Sequence, residues 1–110
     1  MMRTCVHCVI ARVVRLEAVA GGSDIRVGHG PPVTLPHAGG AIFRALRALV
    51  REARAAGDGP IKLRILDMPG WSRVEITATV RVGRGARVLG RAFDRHVAGT
   101  LEGGFLEGLA

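Results

Sequence analysis

The feature that most constrains the fold is the segment Arg73-Val74-Glu75-Ile76-Thr77-Ala78-Thr79-Val80-Arg81-Val82. Val74, Ile76, Ala78, Val80 and Val82 alternate with charged or hydroxyl-bearing residues. A period of two puts one face in a core and the other in water, as in an antiparallel sheet covered on one side. Ile61-Lys62-Leu63-Arg64-Ile65 alternates in the same sense, and Met68-Pro69-Gly70 between the two runs is a turn. These runs are predicted to pair as a hairpin. Gly83-Arg84-Gly85 is short enough to return the chain a second time, into a strand over Ala86 to Phe93.

Beyond that strand, Val97, Leu101, Phe105, Leu106 and Leu109 recur at helical spacing, which predicts a terminal helix. That helix would carry Gly99, Gly103, Gly104 and Gly108, each costing about 1 kcal/mol relative to Ala. Small residues there would admit a second backbone, and hence a second subunit; the alternative is a frayed end. Residues 61–110 therefore read strand, strand, strand, helix.

The first half follows the same order less cleanly. Ala11 to Val19, Ile25-Arg26-Val27 and Val33-Thr34-Leu35 are strand candidates, separated by turns at Gly21-Gly22-Ser23-Asp24 and Gly30-Pro31-Pro32. A helix is predicted from Ala41 to about Ala56, with Ile42, Phe43, Leu46, Leu49 and Val50 on its apolar face. Gly57-Asp58-Gly59-Pro60 ends it. The expected fold is α+β, a single domain over 1–110. It is read as a tandem βββα repeat with a pseudo-twofold, each unit an antiparallel sheet with one helix. The units span about 11–56 and 61–110, with 1–10 as an N-terminal extension or edge strand.

The chain has 110 residues and a net charge of +7 at pH 7. Fifteen of its 16 basic residues are Arg, the exception being Lys62. With 48% hydrophobic residues it is not a disordered chain, and no apolar run reaches the ~18 residues of a membrane span. A cytoplasmic protein without membrane contact is expected. The densest basic group, Arg44, Arg47, Arg51 and Arg54, falls on one side of the predicted helix. It reads as a solvated face or as a ridge for nucleic-acid phosphates. Few aromatics are available to stack on single-stranded bases.

Cys5-Val6-His7-Cys8 is the one cysteine motif. A redox role wants its first thiol at a helix N-terminus after a strand, and a zinc role wants a second ligand pair at short spacing. The motif lies among β-branched residues, and His29 and His37 are eight apart. The pair therefore reads as free thiols on a frayed or edge strand, with metal binding and redox chemistry as the alternatives. No metal site, cofactor or catalytic group is assigned. There is no nucleophile elbow, P-loop or H-E-x-x-H. Asp94-Arg95-His96 stands where the third strand of the second half meets its helix, where Asp94 would cap the helix or, alternatively, the free N–H groups of the helix start would bind a carboxylate ligand.

The tandem order and two junctions, Gly39-Gly40-Ala41-Ile42-Phe43-Arg44-Ala45-Leu46 and Gly90-Arg91-Ala92-Phe93-Asp94-Arg95-His96-Val97, resemble the C-terminal regulatory domain of the α-isopropylmalate synthase and citramalate synthase family. The chain departs from that pattern at Ala92 and His96, where the family has a second junction Gly and a second Asp. Leu35, His37 and Ala38 stand where its first Gly-x-Gly-Pro would be. The resemblance implies an allosteric, non-catalytic, homodimeric module of leucine biosynthesis. It implies a branched-chain amino acid bound at the helix entries by Gly39, Gly40, Ile42, Gly90, Ala92, Asp94, His96 and Val97, with Asp94 meeting the ammonium group. It also implies docking on a catalytic synthase subunit, since the family's condensing chemistry belongs to a separate barrel.

Overall fold

A computed structural model describes residues 3–21, 24–28, 30, 32–67, 73–96 and 105–109; for 20–21 and 105–109 only the backbone is described. The elements in chain order are β1 (Thr4–Cys5), α1 (Val6–Gly21), β2 (Ile25–Val27), β3 (Thr34–Leu35), α2 (Gly39–Ala56), β4 (Asp58–Asp67), β5 (Arg73–Val82), β6 (Gly85–Asp94) and β7 (Phe105–Leu109).

The fold is α+β, and the central hairpins form as the alternation requires. β4 pairs antiparallel with β5, Ile65 opposite Ile76, and β5 with β6, Ala78 opposite Leu89. Val82 faces Gly85 across a two-residue loop in which Gly83 has φ +59°. A glycine at the first loop position with positive φ matches the backbone twist of the two strands. Val74, Ile76, Ala78 and Val80 are buried on one face, as are Ile61 and Leu63. α2 covers that face with Ile42, Leu46, Leu49, Val50 and Ala53.

Three expectations are corrected. The segment read as a strand over 11–19 is the body of α1. Val6, Val9, Ile10 and Val13 recur at three- and four-residue intervals and are all buried, so the apolar period is helical despite the β-branched residues. The terminal segment read as a helix contains β7, which pairs antiparallel with β6, Phe105 opposite Arg91 and Leu109 opposite Arg87. Glycine at 103, 104 and 108 weakens a helix there by about 1 kcal/mol each, whereas the open edge of β6 offers unpaired backbone groups. Finally, the strands form one five-stranded sheet, β2-β4-β5-β6-β7, beside a two-stranded β1-β3 sheet. β2 runs parallel to β4, with α2 in the connection between them, because parallel neighbours need a crossover. Among the described residues the element order is thus not that of two βββα units in tandem.

α1 packs on α2 rather than on the sheet, and Val6, Val9, Ile10 and Val13 join the residues of α2 and the sheet in one hydrophobic cluster. No described helix is long and apolar enough to cross a membrane.

Candidate functional site

The α1–α2 seam gathers most of the charge that the sequence places on α2. Arg47, Arg51 and Arg54 lie on one flank, as their 4- and 3-residue offsets require. All three turn onto Glu17 of α1, whose side chain is 0% exposed. Arg47 Nε lies 3.4 Å from Oε2, Arg51 Nε 3.3 Å from Oε1 and Arg54 Nη1 3.4 Å from Oε1. Arg54 Nη2 also donates to the Glu17 backbone carbonyl at 3.1 Å. A buried carboxylate must be matched by charge and hydrogen bonds, and these guanidiniums supply both. The arginine ridge is therefore largely a structural clamp between helices. Arg44, one turn earlier, is exposed.

Glu17 could be found from sequence only by first reading 6–21 as a helix. It then falls four residues after Val13, on the stripe that faces α2.

The same helical reading exposes a second stripe on α1. Arg12, Arg15, Leu16 and Val19 follow i, i+3, i+4, i+7 spacing, and together with Phe43 of α2 they line an open groove of ≈ 380 Å³. Leu16 is 40% exposed and Val19 85%. The Arg12 guanidinium sits 5.2 Å above the Phe43 ring, a cation–π contact that holds the charge at the groove's rim. Such apolar groups on a helix face are usually buried against something. A smaller basic depression, of ≈ 240 Å³, lies between β2 and β4 beside Arg26, Lys62 and Arg64.

The residues assigned to an effector site are only partly brought together. The two junctions do meet. His37, just before α2, donates from Nε2 to the backbone carbonyl of Asp94 at 2.7 Å, with its ring edge-on to Phe93 at 5.8 Å between centroids. Gly39 has Thr4 as its neighbour, and Gly40 has Arg44. Ile42 is in the core under the sheet, and Gly90 and Ala92 are buried within β6. Asp94 Oδ1 accepts from the backbone N–H of His96 at 2.7 Å, and residues 97–104, where the helix it was expected to cap would begin, lie outside the described residues. Val97 lies outside the described residues. Ala38 stands at the N-cap of α2 and has no side-chain acceptor.

Cys5 and Cys8 are both free thiols. The reading of this motif as part of an edge strand holds only for Cys5, which closes β1; α1 begins at the next residue. Cys5 is half-buried and Cys8 exposed. The Cys5 thiol is held below its ordinary pKa, first because the Cys8 side chain hydrogen-bonds to it, then through the backbone N–H groups of Cys8 and His7; burial opposes this. Cys8 is pushed up, chiefly because its proton serves that hydrogen bond, with burial and the Cys5 charge adding to it. Among the described residues no group of three or more His, Cys, Asp or Glu could hold a metal ion. His29, one of the two histidines weighed as zinc partners, lies outside the described residues, and His37 is committed to Asp94.

No protein-family model and no curated protein matches this sequence. The resemblance to the synthase regulatory domain rested on the tandem order, so the observed element order removes its main support.

Proposed function

We propose that the chain is a non-catalytic interaction module whose α1–α2 outer face docks an acidic, amphipathic helical segment of a partner protein. The groove of Arg12, Arg15, Leu16, Val19 and Phe43 carries this reading. Its floor is apolar and its rim basic, so the complementary surface is an apolar stripe flanked by Asp or Glu. A second copy of the chain fits less well, because a symmetric contact would set Arg12 and Arg15 against their own equivalents. Regulation of a catalytic partner is compatible with such docking; a branched-chain effector has no comparable support, since Ile42 is enclosed in the core under α2 while Gly90 and Ala92, opposite Thr77 and Glu75, are buried on the other face of the sheet.

The nucleic-acid reading loses ground for a specific reason. Three of its four arginines direct donors at Glu17, leaving fewer for phosphates.

The test is a titration of the full chain with a fluorescent Leu/Glu-based amphipathic helical peptide. Saturable binding is expected. It should weaken at least about tenfold in the Leu16→Ser/Val19→Ser double variant and fall with added salt. Equal binding by the wild type and the double variant overturns the reading. So does a wild-type dimer that the double variant abolishes, which would assign the face to a second copy. Salt-sensitive RNA binding without peptide binding restores the nucleic-acid alternative.

A further inference from the structure

The Cys5–Cys8 motif occupies the setting that thiol chemistry favours. β1 is pinned antiparallel to β3, Cys5 opposite Thr34. The next backbone N–H, that of Val6, donates to the Val33 carbonyl at 2.9 Å. Thr4 Oγ1 donates to the His37 carbonyl at 2.6 Å. These contacts fix the chain on both sides of Cys5 and end the strand where α1 starts. Cys5 thus stands at the N-cap of a sixteen-residue helix, and Cys8 is its third helical residue.

An N-cap side chain reaches naturally to the third helical residue. The Cys8 side chain and the backbone N–H groups of Cys8 and His7 all act to lower the Cys5 pKa. Residues at this spacing lie within the Cα separation of a disulfide. The N-terminal end of the helix favours negative charge, and so favours a thiolate at Cys5.

We propose that Cys5 and Cys8 form a redox-active dithiol that exchanges with disulfides, Cys5 attacking and Cys8 resolving. The Cys5 thiolate attacks one sulfur of a substrate disulfide, forming a mixed disulfide and releasing the other sulfur as a thiolate that takes up a proton. Cys8 gives up its proton to solvent and attacks Cys5 Sγ. The second substrate thiol leaves, and a Cys5–Cys8 disulfide remains. Two electrons pass from the dithiol to the substrate disulfide, which becomes two thiols. This site is separate from the docking groove, and neither proposal depends on the other.

The test uses the full chain with oxidised glutathione at pH 7, followed by intact-mass analysis; Cys5 and Cys8 are its only cysteines. Wild type is expected to lose two hydrogens and retain no glutathione. Cys8→Ser should stop at a stable glutathione adduct on Cys5. Cys5→Ser should form an adduct about tenfold or more slowly than Cys8→Ser. In urea the wild-type reaction should slow several-fold, because the helix terminus that favours the Cys5 thiolate is lost. Glutathione adducts or covalent dimers accumulating in wild type in place of the internal bridge overturn the proposal. Equal rates for the two variants, or a rate unchanged by urea, do the same.

Discussion

Arg54 holds Glu17 at two points. Its Nη1 lies 3.4 Å from the carboxylate Oε1 and its Nη2 3.1 Å from the backbone carbonyl of the same residue. One side chain of α2 thereby fixes both the charge and a backbone acceptor of α1. Arg54 is also the least exposed of the three partners, at 28% against 34% for Arg47 and 55% for Arg51.

The three arginines are therefore unequal. Arg54→Ala is expected to destabilise the fold by about 2–3 kcal/mol, since it leaves the enclosed carboxylate short of a partner. Arg51→Ala, at the exposed side of the clamp, should cost less than about 1 kcal/mol. Urea unfolding of the two variants checks the order. Glu17→Leu should cost less than Arg54→Ala, because the arginines can turn outward to water while an apolar side chain fills the seam.

His37 ties the entry of α2 to the end of β6. Its Nε2–H donates to Asp94, so the ring carries its proton on Nε2; Nδ1 is buried without a partner. His37→Ala opens a cavity against Phe93 and frees that carbonyl. A loss of about 2–3 kcal/mol is expected in chemical denaturation. His37→Phe restores volume but not the donor, and should recover only part of it.

Gly57 marks the exit from α2. A Cβ built there would run into the backbone carbonyl of Arg81, which cannot swing away as a side-chain end could. Gly57→Ala is expected to cost about 2 kcal/mol or more in urea unfolding. Gly57 has φ −165°, so the cause is the close approach of β5 and not backbone strain.

The cysteine pair predicts a pH profile. The hydrogen bond from Cys8 lowers the Cys5 pKa, so Cys5 should be alkylated by iodoacetamide at pH values below those of an ordinary thiol. Cys8→Ser replaces the thiol donor, and Cys8→Ala removes it. The midpoint for Cys5 should therefore rise in Cys8→Ala and rise less in Cys8→Ser. Rates followed from pH 5 to 10 check this: a Cys5 midpoint that Cys8→Ala leaves unchanged would show that the contact does not act on Cys5.

The alternation in 61–65, 73–82 and 86–93, with its two short returns, specifies β4, β5 and β6 from the chain alone, because side-chain period and turn residues are local properties. The helix predicted from Ala41 to about Ala56 forms over Gly39–Ala56, four of its five predicted apolar residues facing the core, while Phe43 lies half-buried at the groove and Ala53 is buried instead. What the sequence left open was the use of segments with competing signals. Val-rich 6–19 can be read at period two or at period 3.6, and burial of Val6, Val9, Ile10 and Val13 against α2 selects the helix. Residues 105–109 have helical apolar spacing yet glycine-weakened propensity, and the open edge of β6 selects a strand. Both candidate surfaces follow from that choice. The Arg12–Val19 stripe, the burial of Glu17 and the position of Cys5 at a helix start exist only once α1 is a helix packed on α2. That packing depends on contacts between residues some thirty positions apart, a distance at which no local pattern in the chain can act.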